Sequence, residues 1–324
     1  MRLIEGLDAL LALDLGAIYG DAPASRSAVA VGVFDGVHLG HQRLLHELLE
    51  MASALQAMPT VVTFANHPDQ VLRGETPPPL CSVPHRLRLL RRAGVLRLVL
   101  LQFEPRLQNL TAREFAERIL VERLHTRGLL LGYDSALGKD RAGTPEHFRA
   151  LGGELGFRVQ TGAPFEVDGQ AVSSTAIRAA IARGDLAGAQ RFLGRLPGAL
   201  GTVVHGDGRG RTLGFPTANV ATQPGALPPP GVYAVEVVVD AATHPGVANL
   251  GARPTFAGAS SIGTPPTSVQ LEVHVLDFHG DLYGRELEVA FRQRLREERK
   301  FADADALRAQ IAADVAAARQ ALRA

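Results

Sequence analysis

The first half of the chain alternates short apolar runs with stretches in which apolar residues recur every three or four positions. Short apolar runs are typical of strands buried in a parallel sheet, and the wider spacing is typical of amphipathic helices. The runs predict strands at 28–31, 60–64, 96–101 and 129–131. Strands that alternate with helices indicate an α/β domain whose parallel sheet carries helices on both faces.

After Pro197 the pattern changes to a period of two. This alternation predicts strands at 201–204, 231–239, 269–276 and 286–291, with Gly and Pro residues in the turns between them. Short strands without helices between them indicate an antiparallel barrel or sandwich. From about Asp303 the spacing becomes helical again, which predicts a terminal helix on the outside of the sheet.

Length and composition favour a cytoplasmic protein of two domains. A chain of 324 residues is long for one core, and we predict domains at 1–188 and 189–324. The net charge of +1 gives no sign of a nucleic-acid or membrane partner. The single cysteine, Cys81, cannot form an internal disulfide bond, which suits a reducing compartment. Acidic residues interrupt the apolar pattern at the N-terminus, unlike in a signal peptide. No apolar run is as long as a membrane span, which needs about 20 residues.

A glycine-rich turn, GVFDGVHLGHQ at 32–42, joins the first predicted strand to a helix. The N-terminus of a helix offers unpaired N–H groups and a positive dipole to an anion, and glycines allow close approach. His38 and His41 are three positions apart and can stabilise charge on phosphorus. A turn with a helix cap would also explain an HxxH spacing. The glycine-rich turn, the two histidines and their place between a strand and a helix together favour a nucleotide site. Its candidate nucleotide-binding residues are Gly32, Phe34, Asp35, Gly36 and Gly40.

Further candidates follow along the first half of the chain. Asn66 and His67 come after the second strand, where open α/β sheets bind ligands, although His67-Pro68 also suits a simple strand end. In VSSTAIR, three hydroxyl residues precede an arginine, which indicates a second anion site at a helix start. The residues concerned are Ser173, Ser174, Thr175 and Arg178.

Two of the predicted helices carry clear polar signals. The arginines at 86, 88, 91 and 92 are expected on a solvated helix face. Thr111 and Glu114 form a capping-box pattern at the start of a helix predicted over 110–124.

The second half contains its own phosphate signature, GDGRGRTLGFPTAN at 206–219. Its glycines allow backbone to approach an anion, and its arginines supply charge, although such a turn also suits a hairpin loop. Thr217 and Asn219 offer oxygen ligands to Mg²⁺. Glu272 lies within a predicted strand, where a plain solvent-facing role is the default and a catalytic base is the alternative. The loop candidates are Gly206, Gly208, Gly210 and Arg211.

Taken together, these segments resemble the bifunctional prokaryotic riboflavin kinase/FMN adenylyltransferase (FAD synthetase) family over nearly the whole chain. The most specific segment is LGFPTAN, and the order of all the segments agrees with the family. The resemblance implies a fold of α/β plus all-β class, with an N-terminal Rossmann-like nucleotidyltransferase domain and a C-terminal antiparallel β-barrel with a terminal helix. The matching segments are GVFDGVHLGHQ, TFANHP, GYDSALGKDRAG, VSSTAIR, GRTLGFPTANV, GVYAVEV, GVANLGARPTF, LEVHVLDFHGDLYG and LREERKF.

The resemblance also implies roles for the candidate residues. His38 and His41 would stabilise the α-phosphorus of ATP while FMN attacks it, and the VSSTAIR segment would hold the departing pyrophosphate. Thr217 and Asn219 would bind the Mg²⁺ of ATP, and Glu272 would take the proton of the riboflavin 5'-hydroxyl. The GYDSALG loop, with Asp134, is expected near FMN or adenine, and Arg296 and Phe301 match the region that closes over the flavin.

The expected partners are riboflavin, FMN and ATP with Mg²⁺, in a monomer or weak homo-oligomer. The family usually has phenylalanines and an arginine where this chain has Ser135, Ala136 and Leu137. This departure leaves two alternatives open: a riboflavin kinase with an impaired adenylyltransferase module, and a flavin- or nucleotide-binding regulator.

Overall fold

The computed structural model describes residues 1–74, 77–206, 209–223, 225–252 and 269–323. These residues form two compact units. The first unit comprises Met1–Pro77 and Arg86–Ser173, and the second comprises Pro78–His85 and Ser174–Ala324. Among the described residues, no helix is both long enough and apolar enough to cross a membrane.

The first unit is built on a parallel six-stranded sheet. Its strands are β1 (Arg2–Glu5), β2 (Ser27–Val31), β3 (Met58–Phe64), β4 (Arg97–Leu101), β5 (Thr126–Leu131) and β6 (Arg158–Thr161). They lie in the order β1-β4-β3-β2-β5-β6, and every neighbouring pair is parallel. A small antiparallel hairpin follows, with strands β7 (Glu166–Val167) and β8 (Gln170–Ala171).

Helices connect these strands. They are α1 (Leu7–Leu11), α2 (Leu15–Tyr19), α3 (Leu39–Ala54), α4 (Pro68–Arg73), α5 (Val83–Arg92), α6 (Pro105–Gln108), α7 (Ala112–Phe115) and α8 (Pro145–Leu155). Single 3₁₀ turns occur at Pro23–Ser25, Asp35–Val37 and Lys139–Arg141.

The central strands are buried throughout, as their continuous apolar runs predict. Every residue of β2 and β4 is buried, and the side chains of Val29, Val31 and Val99 enter one large apolar core. A parallel sheet covered by helices buries both faces of its strands, so the alternation seen in half-exposed strands is absent. The predicted α/β fold is confirmed.

The second unit contains a closed barrel of six antiparallel strands. They are β9 (Gly198–Val204), β10 (Ala218–Thr222), β11 (Gly231–Val239), β12 (Ala242–Ala252), β13 (Val269–Val275) and β14 (Glu286–Arg296). Their order around the barrel is β10-β13-β12-β11-β14-β9, and β9 pairs with β10 to close it. Alternate residues, such as Leu271 and Val273, fill the interior. The predicted barrel is confirmed.

Four helices accompany the barrel. They are α9 (Ser174–Ala182), α10 (Leu186–Leu193), α11 (Arg209–Thr212) and α12 (Ala304–Ala321). Asp303 caps α12 by accepting a hydrogen bond from the N–H of Ala306 at 2.8 Å. Ala318 and Val315 pack against Val232 and Val247 on the outside of the barrel, so the terminal helix lies where the sequence predicts it.

Some elements differ from the sequence prediction. The edge strands β1 and β6 and the barrel strands β10 and β12 were not predicted. The helix predicted over 110–124 begins with the expected capping box, since the Thr111 side chain accepts from the Glu114 N–H at 3.1 Å and Glu114 accepts from the Thr111 N–H at 2.8 Å. It then continues from α7 as a π-helical segment, Ala116–Val121, instead of a regular α-helix.

Candidate functional sites

The glycine-rich turn after β2 has an unusual backbone. Phe34, Gly36 and Val37 have positive φ angles of 53°, 76° and 41°. Left-handed conformations are uncommon for residues other than glycine, and least favourable for a β-branched residue such as valine. Such backbone strain is concentrated at functional sites in proteins. Here the turn delivers His38 to the start of α3.

His38 caps the helix that follows. Its ring nitrogen Nδ1 accepts a hydrogen bond from the backbone N–H of His41 at 3.3 Å. A neutral imidazole that accepts at Nδ1 carries its proton on Nε2, so the cap leaves His38 with an N–H donor at the far side of its ring. Gly40 makes room for this ring, because a Cβ at residue 40 would lie 3.3 Å from it.

His41 is half-buried and stacks on His38. The two ring centroids are 3.6 Å apart, and the planes differ by 19°. The Nδ1 atom of His41 is buried and has no hydrogen-bond partner within the described residues. Burial, followed by the charges of His38 and Arg86, holds the pKa of His41 well below its ordinary value. His41 is therefore a neutral imidazole with an unused polar atom, as expected of a site that binds a ligand.

Arg86 corrects one prediction. We expected it on a solvated helix face, but it is only 6% exposed. Its guanidinium donates to the carbonyl of Val33 at 2.9 Å and to the carbonyl of Phe64. These carbonyls belong to the turn after β2 and to the end of β3, so Arg86 joins the two strand ends beside the histidines. The sequence spacing indicates this burial of Arg86, because residues 86, 89 and 90 share one helix face, and Leu89 and Leu90 are buried.

Asn66 and His67 follow β3 in the same unit. The Asn66 side chain donates to the carbonyl of Phe103 at 2.9 Å and accepts from the Phe103 N–H at 2.7 Å. It therefore ties the end of β3 to the segment after β4. His67 caps α4 by accepting from the N–H of Asp69 at 3.2 Å. Both side chains thus organise the carboxyl end of the sheet.

The remaining candidates of the first half lie in separate segments. Asp134 is exposed in the loop after β5, and a Cβ on Gly132 would lie 3.4 Å from its carboxylate oxygen and 3.1 Å from the Ser135 hydroxyl. Ser173 ends the first compact unit, whereas Ser174 begins both α9 and the second unit. Within α9, Arg178 donates to the Thr175 hydroxyl at 3.4 Å, so the predicted hydroxyl and arginine are neighbours.

The barrel brings together candidates that are far apart in the sequence. In β13, Leu271 and Val273 point inward and are fully buried, whereas Glu272 points outward and is half-buried. Glu272 lies directly opposite Asn219 of β10 on one side and Asn249 of β12 on the other. The outer face of the barrel therefore holds a carboxylate between two amides.

The glycine-rich loop lies against these residues. A Cβ on Gly206 would meet the amide of Asn219, and a Cβ on Gly210 would lie 3.0 Å from the Thr217 hydroxyl oxygen. Both glycines therefore allow the loop backbone to lie close against the predicted cation ligands. Arg211 is exposed on α11, and Gly208 lies outside the described residues.

Gln270 and His274 make further hydrogen bonds on this face. The Gln270 side chain donates from Nε2 to Asn219 Oδ1 at 3.0 Å and to Glu272 Oε1 at 2.7 Å. A ring nitrogen of His274 lies 2.7 Å from the carbonyl oxygen of Pro216, the residue before Thr217. Sequence analysis did not single out either residue, although both share the outward alternation of Glu272.

The segment after β14 also reaches this face. Asn249 donates to Glu298 Oε1 at 3.2 Å, which connects the segment to β12. Arg296 is held by Asp314 of α12, with its Nε 2.9 Å and its terminal nitrogen 2.8 Å from the carboxylate. The Arg296 guanidinium carbon lies 5.6 Å from the centre of the Phe301 ring. These contacts connect the predicted flavin-closing segment to the terminal helix.

The oxygen atoms present here suit Mg²⁺ bound together with a nucleotide. Asn219 Oδ1 has two lone pairs and accepts one hydrogen bond from Gln270, and the Thr217 hydroxyl lies close to the backbone of Gly210. Mg²⁺ prefers oxygen ligands and commonly combines a few protein oxygens with phosphate oxygens and waters. Among the described residues, no three His, Cys, Asp or Glu side chains form a metal-binding group.

Two family models match the chain in succession. The model described as FAD synthetase matches residues 21–176, and the model described as riboflavin kinase matches residues 193–322. The first range contains the stacked histidines, and the second contains the barrel site.

Known proteins are similar to this chain over nearly their whole length. A protein of Pseudomonas fluorescens named bifunctional riboflavin kinase/FMN adenylyltransferase is 42% identical, across 98% of this chain and 97% of its own. A protein of the same name from Escherichia coli (strain K12) is 38% identical, across 99% of this chain and 97% of its own. A crystal structure titled as a macrolide-efflux protein from Streptococcus pneumoniae superimposes with a TM-score of 0.79 at 30% identity, across 98% of this chain and 99% of that one.

Proposed function

The chain belongs to the family of bifunctional riboflavin kinases and FMN adenylyltransferases, and we propose that its two groups of site residues divide the two reactions of that family between them. The enzyme phosphorylates riboflavin to FMN and adenylylates FMN to FAD, with ATP as the donor in both steps. We assign adenylyl transfer to His38 and His41 and phosphoryl transfer to the barrel site around Glu272.

One observation carries this division. The stacked histidines lie wholly in the first compact unit, whereas Thr217, Asn219 and Glu272 lie wholly in the second. Each unit thus has its own polar groups suited to phosphate chemistry, and the two reactions can be lost separately.

In the proposed adenylyl transfer, a phosphate oxygen of FMN forms a bond to the α-phosphorus of ATP, and the bond to pyrophosphate breaks. The protein supplies no nucleophile, so its residues position the reactants and stabilise charge. The Nε2–H of His38 is a preset donor because Nδ1 already accepts from the helix. His41, kept neutral by burial, contributes a second imidazole whose Nδ1 is free to bind a ligand.

In the proposed phosphoryl transfer, Glu272 takes the proton of the riboflavin 5'-hydroxyl. The hydroxyl oxygen forms a bond to the γ-phosphorus of ATP, and the bond to ADP breaks. Thr217 and Asn219 would hold Mg²⁺, which neutralises phosphate charge when bound. Gly206 and Gly210 let the loop backbone approach these two residues closely, and the loop would cover the phosphates. The segment with Arg296 and Phe301 would close over the flavin.

The functional domains we propose are 1–188 and 189–324. This division keeps the VSSTAIR segment with the adenylyltransferase, in line with the FAD synthetase model that extends to residue 176. In the compact units, by contrast, α9 and α10 belong with the barrel. We also propose a cytoplasmic enzyme that is a monomer or weak homo-oligomer. The proposed location agrees with a single cysteine, Cys81, which is buried and forms no disulfide bond.

The decisive experiment is a chromatographic time course of the purified protein with riboflavin, ATP and Mg²⁺. FMN that rises and then gives way to FAD supports both activities in one chain. Accumulation of FMN without FAD would mean that the first unit has lost adenylyl transfer because of Ser135, Ala136 and Leu137 in its loop. Tight flavin binding without turnover would indicate that the protein is a flavin-binding regulator and not an enzyme.

A further inference from the structure

The row of outward side chains on β13 contains a residue without an assigned role. Gln270 is half-buried, two positions before Glu272 on the same strand face. Its Nε2 atom donates one hydrogen bond to Asn219 Oδ1 at 3.0 Å and one to Glu272 Oε1 at 2.7 Å. A glutamine amide has two N–H donors, and both are used here. We propose that Gln270 is the positioning residue that fixes the proposed base and the proposed cation ligand of the kinase site relative to each other.

The pairing of the barrel strands brings the two bridged acceptors together. Asn219 and Glu272 lie opposite each other on neighbouring strands, and both side chains point outward. The two atoms that Gln270 joins, Asn219 Oδ1 and Glu272 Oε1, are both acceptors and cannot hydrogen-bond to each other. An amide nitrogen placed beside both oxygens supplies the missing donors.

The opposite side of Gln270 offers no competing side chain from its direct neighbour. On β12 the residue paired with Gln270 is Gly251, and a Cβ there would lie 2.6 Å from a carboxylate oxygen of Glu298. The glycine leaves room for Glu298, and the Gln270 amide turns to Asn219 on β10.

The bridge suits the chemistry because it acts differently on its two partners. On Glu272, the bond occupies Oε1 and holds the carboxylate in one orientation, with the second oxygen left to face the substrate. On Asn219, the bond uses one lone pair of Oδ1 and orients the other. Misplacement of reacting groups is costly in group transfer, because the rate depends on positioning.

This inference rests on the proposed kinase function, and two variants test it. Gln270→Met keeps the length of the side chain but removes both donors, and Gln270→Glu replaces the donors with a carboxylate. Gln293→Met is the matched control, since Gln293 is exposed on β14, opposite Ala234 of β11. Turnover of riboflavin is measured as FMN formed, and FAD formed from added FMN is measured on the same preparations.

We expect both Gln270 variants to lower kcat for FMN formation about tenfold to a hundredfold, with little change in KM for riboflavin. FAD formation from FMN and the control variant are expected to match the wild type. Normal kcat in both Gln270 variants would overturn the inference. So would loss of FMN formation in parallel with loss of the folded barrel, because that result means a purely structural role.

A second readout does not depend on turnover. A crystal structure of Gln270→Met without ligands is expected to show Glu272 or Asn219 in a different rotamer, and unmoved side chains would contradict the inference. If the wild type forms no FMN, the proposed kinase function fails, but this structural comparison still decides whether Gln270 positions its two partners.

Discussion

The imidazole rings of His38 and His41 lie face to face, with their centroids 3.6 Å apart. Two imidazoles in contact cannot both be protonated without strong repulsion. The stacked pair therefore places two imidazole rings side by side, and the pair carries at most one positive charge. It depends on the helix cap that His38 makes and on the absence of a side chain at Gly40.

We expect His41→Gln to lower FAD formation from FMN by about 10²–10³-fold, because one stabilising group at the α-phosphorus is lost. FMN formation from riboflavin should stay at the wild-type level. The matched control is His46→Gln, which alters an exposed histidine of the same helix. Chromatographic assays of both products give the result, and equal losses of FMN and FAD formation would contradict two independent sites.

The pKa of His41 also predicts how stability depends on pH. Its folded-state pKa lies well below the unfolded value of about 6.5, so the unfolded chain binds more protons between these two values. The free energy of unfolding should therefore fall as the pH drops below about 6.5. Calorimetry of the wild type and His41→Gln checks this. The variant should lose less stability on acidification, and identical pH profiles would rule out a buried neutral His41.

Arg86→Met should destabilise the first unit by about 1–3 kcal/mol, because carbonyls at the ends of two strands lose a buried donor. FAD formation should fall more than FMN formation, since these carbonyls flank the histidine turn. Arg86→Lys should recover part of both losses. Arg91→Met is the control, because Arg91 is exposed on the same helix. Urea unfolding provides the stabilities, and equal effects of the two methionine variants would contradict this role.

Glu272→Gln should lower FMN formation by about 10²–10⁴-fold, because the amide cannot take the proton of the riboflavin hydroxyl. Formation of FAD from added FMN and the melting temperature should not change. Glu236→Gln, on the half-exposed side of β11, is the control. Undiminished kinase turnover in Glu272→Gln would remove Glu272 from the role of base.

Chelation with EDTA should stop both reactions, and excess Mg²⁺ should restore them. The barrel site offers neutral oxygens of Thr217 and Asn219, so a divalent cation must balance the phosphate charge there. The two steps are assayed separately, with riboflavin or FMN as the substrate. A step that continues at full rate in EDTA would show that it needs no divalent cation.

The sequence by itself determined the main elements of both folds. The apolar runs at 28–31 and 60–64 became β2 and β3, and the alternation at 231–239 became β11 with the same bounds. The glycine-rich turn, the capping box at Thr111 and the terminal helix were predicted as well. These features are local: hydrophobic periodicity, turn glycines and caps act between residues a few positions apart.

Tertiary structure decided the neighbours of the site residues. Arg86 reaches a carbonyl that is 53 positions away in the sequence, and Gln270 reaches an amide 51 positions away. Periodicity shows which face of a helix or strand a residue occupies, but the partner on that face depends on strand order and register. The order β10-β13-β12 placed Glu272 between Asn219 and Asn249, and this pairing follows from the strand order and register of the barrel.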